Sequence, residues 1–379
     1  MKIAVISLPL HTNYGGILQS YALRKELESM GHEVSVIDRK VKMPLPKWWK
    51  APFVYLNRAL KHIGRNPAEA PEVFRERRCM KEYPVLCARV QEFIGRNISP
   101  VMTDSYSDLR KGGYEAFVVG SDQVWRPRYF GRIEDAFLDF AKEWDVKRVA
   151  YAASFGTDQL EFESDQLSRC AKLLEKFDGV SVREDKAVAM CDEWFECDRA
   201  VHVLDPVMFL TKEELSGIAS RSSCHRAKGK VMTYILDPAP NKAAIISMVS
   251  GWTSKDVADY SVHPHDRMRP VEERVVPPVE DWIAGFADAD FIVTDSFHGC
   301  VLSILLHKPF IAVGNSGRGL SRMKSLTDMF GLDSRLVHGI DPEDDGESFL
   351  TSPDWEMIDR ILEEKRAFSR SFLDESLKD

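Results

Sequence analysis

The feature that most constrains the fold of this chain is the alternation of short runs rich in Val, Ile and Ala with longer segments of helical apolar spacing. Runs of this kind are typical of βαβ units that build a mainly parallel sheet. Six runs lie in the first half, at residues 2–7, 33–38, 116–120, 148–154, 179–183 and 201–205. Five follow in the second half, at residues 230–236, 257–262, 290–294, 309–313 and 334–338. The pattern predicts two doubly wound, Rossmann-like α/β domains with parallel sheets.

The length of 379 residues supports two domains, because one ordinary hydrophobic core does not reach that size. We place the boundary after Pro206, where a strand ends and Thr211 can cap a new helix. The N-terminal domain is therefore predicted over residues 1–206, with a helical insertion at about 40–110, and the C-terminal domain over 207–352. Residues 353–379 have helical spacing and are predicted to pack back on the body.

Charge and composition argue against several classes of function. A net charge of −8 gives no general attraction for nucleic acid, and no zinc-finger spacing is present. Seven cysteines without a C-x-x-C pair favour a reduced, intracellular chain. The first residues lack a signal-peptide cleavage site, and no apolar run approaches the roughly 18 residues of a membrane span. We expect a cytoplasmic protein that binds no nucleic acid.

Residues 39–100 are strongly basic, with fourteen Lys or Arg against five Glu and no Asp. One interpretation is a helical insertion whose basic faces are solvated and whose Trp48, Trp49 and Phe53 pack into the body. The other is a lid or a basic, aromatic surface that meets a phosphorylated or lipid-linked acceptor, because Lys and Arg are attracted to anionic head groups. The second interpretation implies peripheral contact with the inner face of a membrane.

Polar and glycine residues follow the predicted strands of the first half. In open α/β sheets, ligands bind outside the carboxyl ends of the strands, where glycines and helix N-termini favour anions. The first loop matches neither G-x-G-x-x-G nor the Walker pattern, so neither a dinucleotide site nor a P-loop is predicted. The candidate binding residues in this half are Asn13, Gly15, Gly16, Gln19, Ser121, Asp122, Gln123, Ser154 and Gly156, with Arg183 after the fifth strand.

The densest polar stretch of the second half is TDSFHG, residues 294–299, between an apolar run and a helix-like run. Asp295 or Ser296 can cap a helix that begins near His298, and Gly299 would allow close backbone approach. With an anionic ligand, His298 could carry and donate a proton. The alternative is that His298 only hydrogen-bonds a neighbouring loop. Arg318 and Arg322 could add positive charge to the same site.

These pieces together resemble the polysaccharide pyruvyl transferases. The matching segments are NYGGILQSYAL, VVGSDQVW, YAASFG, SVRED, VLDPVMFL, DFIVTDSFHGCVLSILLHKPFI and GRGLSRM, in that order. The resemblance implies a fold similar to two-domain GT-B glycosyltransferases, with the active site between the domains. It also implies transfer of the enolpyruvyl unit of phosphoenolpyruvate onto two sugar hydroxyls of a polysaccharide or its precursor, giving a ketal.

For this reaction the resemblance suggests roles for three side chains and requires no metal or cofactor. His298 would donate a proton or stabilise the leaving phosphate. Arg183, with Arg322, would hold the carboxylate and phosphate oxygens of the donor. In some members of the family an arginine stands two positions before the histidine, whereas this chain has Ser296. A serine offers a neutral hydrogen bond where a guanidinium pairs bidentately with an anion.

Two other functions are compatible with the same fold. A GT-B glycosyltransferase would use a nucleotide-sugar and hold its diphosphate at the helix that follows Ser296. A catalytically inactive member would bind a sugar or assemble with a partner. The expected partners are therefore phosphoenolpyruvate or another anionic donor, and a saccharide acceptor that is either free or lipid-linked.

Overall fold

The structure of the protein is a computed structural model, which describes residues 1–39, 45–63, 70–264, 266–314 and 320–378. Its strands form two separate, fully parallel sheets. The first sheet contains β1 (Lys2–Ile6), β2 (Glu33–Arg39), β3 (Val101–Thr103), β4 (Ala116–Val119), β5 (Lys147–Ala153), β6 (Gly179–Val182) and β7 (Val201–His202). The second contains β8 (Val231–Tyr234), β9 (Val257–Asp259), β10 (Phe291–Thr294), β11 (Phe310–Val313) and β12 (Leu336–Val337).

Helices connect the strands and cover the sheets. The first part of the chain contributes α1 (Tyr14–Ser29), α2 (Ala51–His62), α3 (Arg75–Asn97), α4 (Ser164–Leu174) and α5 (Lys186–Phe195). The second part contributes α6 (Lys212–Ala219), α7 (Pro240–Thr253), α8 (Val279–Asp288), α9 (Phe297–Leu305), α10 (Leu320–Met329), α11 (Glu347–Leu350) and α12 (Trp355–Leu377). The parallel strands joined by helices confirm the predicted α/β fold class.

Each of the eleven predicted runs contains a strand, and the described residues of the insertion predicted at about 40–110 include the helices α2 and α3, followed by β3. Thr211 caps α6 through a capping box in which its hydroxyl accepts a hydrogen bond from the Glu214 amide at 3.2 Å. The strand β3 was not predicted, because three residues at a sheet edge are too few for an alternating pattern.

One interpretation of the basic segment was that Trp48, Trp49 and Phe53 pack into the body, and the structure shows that this is wrong. Trp48 is 82% exposed, Phe53 is 75% exposed and Trp49 is half exposed. They therefore contribute little to the core, although α3 beneath them buries Val90 and Phe93 completely.

Strand order places one switch point in each sheet. The orders are β3-β2-β1-β4-β5-β6-β7 and β12-β11-β10-β8-β9, so the connections leave in opposite directions from the β1/β4 pair and from the β8/β10 pair. In doubly wound sheets the loops diverge at such a point and leave a crevice outside the strand ends. The topology therefore predicts that ligands meet the loops after β1, β4, β8 and β10.

The two sheets share one continuous hydrophobic core. Tyr14, at the start of α1, stacks on Trp282 of α8 with ring centroids 4.8 Å apart, and its hydroxyl donates to the Pro277 carbonyl at 2.9 Å. Both rings are almost fully buried. The N-terminus of α1 is thus held against the second half of the protein.

The last helix returns to the first sheet. α12 lies against β5 and β6, and its Leu373 is completely buried. Arg366 donates to the carbonyls of Met208 and Leu210 at 2.6 and 2.7 Å, and the Leu204 amide donates to the Ser369 hydroxyl at 3.0 Å. Two facing Rossmann-like units joined in this way form a GT-B-like arrangement.

Asp38, at the end of β2, gives a testable link between pH and stability. Burial raises the pKa of Asp38 from 3.8 to about 6, although the Leu10 amide donates to its carboxylate. Because the unfolded chain ionises first, stability falls as pH rises from about 4 to 6 and stays lower above that range. We expect Asp38→Asn, which is neutral throughout, to raise the unfolding free energy at pH 7.5 by up to about 3 kcal/mol.

Urea unfolding of both proteins at pH 4.5 and 7.5 measures this effect. The advantage of Asp38→Asn should be small at the lower pH and large at the higher one, because only the wild-type side chain titrates between them. An equal difference at both pH values would contradict the assignment.

Candidate active site

A cleft of about 380 Å³ lies where the topology predicts it, between the two switch points. We call it the central cleft. Its lining includes Thr12 to Gly15 after β1, Asp122 and Gln123 after β4, Tyr234, Leu236 and Asp237 at the end of β8, and Asp295 to His298 after β10. The walls are completed by Arg322 and Met323 of α10 and by Val262, His263, Pro264 and Asp266.

Ser296 and Asp295 position the start of α9 by different means. Ser296 is the N-cap, and its hydroxyl accepts a hydrogen bond from the Gly299 amide at 3.3 Å. The Asp295 carboxylate accepts from the Leu236 and Asp237 amides at 2.6 and 3.1 Å and pairs with buried Lys242. The end of β8 and the beginning of α9 are therefore held together, which fixes the backbone that carries His298.

His298 lies between α1 and the carboxylate of Asp205. A Cβ atom built on Gly15 would be 2.0 Å from its Nδ1, so only a glycine leaves room for the imidazole at this place. On the other side, Nε2 is 3.6 Å from the Asp205 Oδ2 atom. A buried carboxylate at this distance attracts a positive charge on the ring. His298 thus joins residues from both halves of the chain.

Below His298, the guanidinium of Arg183 bridges two carboxylates. Its NH1 group donates to the Asp205 Oδ2 atom at 2.7 Å, and its NH2 group contacts the Asp122 Oδ1 atom at 3.3 Å. Burial opposes the charge of Arg183, but Asp205 and Asp122 outweigh it and raise the pKa of the guanidinium. Burial likewise opposes ionisation of Asp205, but His298 and Arg183 hold the pKa of that carboxyl well below its usual range. The three groups form a buried, charged network.

The neighbours of Arg183 therefore differ from those expected of a residue that binds the carboxylate and phosphate oxygens of the donor. Its side chain is only 1% exposed, and its guanidinium also lies 4.6 Å from the centre of the Phe297 ring. Arg183 supports the floor of the central cleft and does not form part of its lining.

Arg322 is the arginine that lines the central cleft among the described residues. It lies over the same Phe297 ring, 6.0 Å from the centroid. Burial, together with the nearby charge of Arg183, lowers the pKa of Arg322 to about 10. Burial also raises the pKa of Glu184, against the opposing charges of Arg183 and Arg322. Burial therefore disfavours the charged form of Arg322, and an anionic ligand in the cleft would stabilise that form.

The predicted site residues fall into three groups. Those in the lining of the central cleft are Asn13, Gly15, Asp122, Gln123, Ser296, His298 and Arg322. Those beneath it are Gly16, Gln19, Ser121, Ser154, Gly156, Arg183 and Gly299, most of them almost fully buried. Arg318 lies outside the described residues.

Several of the residues beneath the cleft support its lining. Ser121 donates to the Asp205 Oδ2 atom at 3.4 Å, and Ser154 donates to the Glu184 Oε1 atom at 2.9 Å. Gly156 has a φ of +70°, and a Cβ there would be 2.0 Å from the side-chain oxygen of Gln123. These positions shape the floor of the cleft.

Sequence reasoning did not select Asp205 as a site residue. The signal was present, because an aspartate stands before a proline at the end of a predicted strand in VLDPVMFL. Its Oδ1 atom accepts a hydrogen bond from the Val207 amide at 2.9 Å, so Asp205 also caps the turn that follows. Phe297 was missed as well, since an aromatic residue beside a histidine looks like a core residue in sequence.

Comparison with protein families gave one match. A profile described as polysaccharide pyruvyl transferase matches residues 13–317, which covers most of the chain and includes the loops of the central cleft. Comparison with curated proteins gave no match.

Solved structures resemble this chain only distantly. A UDP-N-acetylglucosamine 2-epimerase from Rickettsia bellii is 10% identical, with a TM-score of 0.47, and the alignment covers 99% of this chain and 97% of that one. The Methanocaldococcus jannaschii UDP-GlcNAc 2-epimerase, in complex with UDP-GlcNAc and UDP, is 12% identical, with a TM-score of 0.48 and coverage of 97% and 100%. MurG from Acinetobacter baumannii is 10% identical, with a TM-score of 0.42 and coverage of 97% and 94%.

Proposed function

This chain belongs to the polysaccharide pyruvyl transferase family, and from that membership we propose that it uses phosphoenolpyruvate as donor. It would transfer the pyruvyl unit onto two hydroxyls of a saccharide, forming a cyclic ketal and releasing phosphate. The observation that carries the proposal is that His298, which lies 3.6 Å from the buried Asp205 carboxylate, lines the same cleft as Arg322. The cleft thus offers a proton donor backed by a carboxylate, and a fixed positive charge.

The reaction requires the delivery of one proton to the donor and the removal of two protons from the sugar hydroxyls. Protonation of the donor C3 atom makes C2 electrophilic, and the first sugar hydroxyl then bonds to C2. The C2–O bond to phosphate breaks, and the second hydroxyl closes the ring. The two hydroxyls release two protons, of which one balances the proton on C3 and the other leaves with phosphate.

His298 is the side chain that we assign to proton delivery. An imidazole exchanges protons near neutral pH, and the Asp205 carboxylate lies 3.6 Å from its Nε2 atom. Gly15 leaves room for the ring beside α1, and the cap at Ser296 fixes the start of the helix that carries His298. After giving its proton to C3, the same ring can take up the proton of the first sugar hydroxyl and donate it to the departing phosphate.

The donor carries a carboxylate and a phosphate, and we assign the binding of these anions to Arg322 and to the N-termini of α1 and α9. Both helices begin in the lining of the cleft, where their free amides and dipoles favour negative charge. Arg183 acts as a positioning residue, because its guanidinium holds Asp205 and Asp122. The lining of the cleft also includes Tyr234, His263 and Asp266, whose polar and aromatic groups suit a saccharide acceptor.

Phosphate release from phosphoenolpyruvate, measured with a panel of glycans, tests the proposal. We expect His298→Asn to lower the rate about 10²- to 10⁴-fold, the usual contribution of general acid catalysis. His225→Asn is the matched control, because His225 also pairs with an aspartate, Asp288, but is 54% exposed and distant from the cleft lining. Its rate should equal that of the wild type.

Arg322→Gln should weaken the binding of phosphoenolpyruvate about 10- to 100-fold, since a hydrogen bond to a charged group contributes about 1.5 to 3 kcal/mol. Exposed Arg360→Gln is the control. The stabilisation of the protein by phosphoenolpyruvate in a thermal melt measures binding without an acceptor. If uridine or guanosine diphosphate raises the melting temperature and phosphoenolpyruvate does not, the donor is a nucleotide-sugar and the proposal fails.

A further inference from the structure

The helix α2 exposes a continuous apolar face. Phe53, Leu56 and Leu60 follow one another at spacings of three and four residues, so they share one side of the helix, and Ile63 comes directly after its end. Their exposed fractions are between 59% and 75%, and Trp48 just before the helix is 82% exposed. We call this set, together with Trp49, the α2 apolar face.

Contacts with α3 fix the direction in which this face points. Arg58, on the opposite side of α2, donates to both carboxylate oxygens of Glu76 at 2.9 and 2.8 Å and to the Val73 carbonyl at 3.2 Å. Tyr55 packs on Phe74 with ring centroids 5.1 Å apart. The inner side of α2 is thus attached to the body, and the apolar face is left outside.

Charge complementarity indicates what covers this face. Residues 45–63 contain Lys47, Lys50, Arg58 and Lys61 but no Asp or Glu, in a chain with a net charge of −8. Lys50 and Lys61 lie beside the apolar face on one flank of the helix and are exposed. A second copy would bring an equally basic patch against this one in a twofold dimer, which repels. The partner that covers the α2 apolar face must therefore have an anionic surface and an apolar interior that the side chains can reach.

A lipid bilayer with anionic head groups has both properties, and we propose that the α2 apolar face docks on such a surface. Amphipathic helices with Lys on the polar side and Trp, Phe and Leu on the other lie in the interface plane of a membrane. Trp48 and Trp49 are residues of the kind that anchor at the head-group level. None of the helices in the described part of the chain has the length and apolar character needed to cross a membrane, so this contact would be peripheral.

The docked helix would lie close to the central cleft. A groove of about 450 Å³ separates Arg58 of α2 from Pro264 and Arg267, and Pro264 also lines the central cleft. A bilayer held by α2 would therefore bring lipid-linked molecules toward the cleft. Docking itself does not depend on phosphoenolpyruvate being the donor.

Co-sedimentation of the full-length protein with vesicles tests the proposal. The probes are phosphatidylcholine vesicles and vesicles in which about a third of the lipid is phosphatidylglycerol, which creates a negative surface potential. We expect binding to the anionic vesicles, weakened by added salt. Lys50→Gln with Lys61→Gln should reduce partitioning about 30-fold, since each lysine near an anionic surface contributes about fivefold and the two factors multiply.

Matched variants separate docking from general effects of charge and apolarity. Lys172→Gln with Lys228→Gln removes the same charge from exposed positions elsewhere and should bind like the wild type. Phe53→Ser with Leu60→Ser should abolish binding, whereas Phe368→Ser, at a 48% exposed position on α12, should not. The proposal is overturned if anionic vesicles bind no protein, if all variants bind equally, or if the α2 variants change the oligomeric state instead.

Discussion

Gly15→Ala should reduce phosphate release from phosphoenolpyruvate by about a hundredfold or more, because the new methyl group would displace the imidazole of His298. The Cβ atom would be 2.0 Å from Nδ1 and 2.6 Å from the ring carbon Cγ, well inside van der Waals contact. The ring must therefore move away from α1, and its distance to Asp205 must change. Displacement of a catalytic group by about 1 Å is enough for an effect of this size.

Gly217→Ala is the matched control for this experiment. It also places alanine in a helix, α6, where alanine favours the helix over glycine by about 1 kcal/mol. A Cβ atom at exposed Gly217 would have no other atom within 4 Å, and Gly217 is not in the lining of the central cleft. Its rate should stay within about twofold of the wild type. Equal rates for the two variants would contradict the placement of His298 against Gly15.

Arg183→Met should lower the free energy of unfolding by about 3 to 5 kcal/mol, because it leaves two buried carboxylates without their cation. Asp205 and Asp122 are 0% and 4% exposed at their side chains, so water cannot replace the guanidinium. Urea unfolding at neutral pH measures the change. Adding Asp205→Asn to Arg183→Met should recover part of the loss, since it removes one of the uncompensated charges.

Lys186→Met provides the comparison at an exposed ion pair three residues away. Lys186 pairs with Asp158 at 3.1 Å, but the two side chains are 57% and 48% exposed. Solvent screens such a pair, and its loss should change stability by no more than about 1 kcal/mol. If Arg183→Met costs no more than Lys186→Met, the buried network does not hold the floor of the cleft as described.

Much of the fold follows from local sequence patterns. Every predicted strand run contains a strand, because Val- and Ile-rich segments buried on both faces of a parallel sheet have a strong local signature. The strand β3 was not predicted, because it is a three-residue edge strand whose pairing with β2 depends on the fold around it. The domain boundaries stay a prediction, since α1 and α12 each pack across the join between the two sheets.

The candidate site was predictable only in part. Asn13, Asp122 and His298 each follow a strand, and a parallel sheet brings such positions to one edge. Which arginine faces the ligand was not predictable in this way. Arg183 and Arg322 look equivalent in sequence. In the structure, Arg183 donates hydrogen bonds to Asp205 and Asp122 below the cleft, whereas Arg322 lines the cleft.

The sequence by itself determined the local elements, including a helix start near His298 with Asp295 or Ser296 as its cap and the amphipathic spacing of α2, because both depend on residues within a few positions of each other. The tertiary structure decided the contacts between distant residues. His298 meets Gly15, which is remote in the chain, and Asp205, which belongs to a different strand end. It also decided that the apolar side of α2 faces outward, because periodicity identifies an apolar face and only packing determines what covers it.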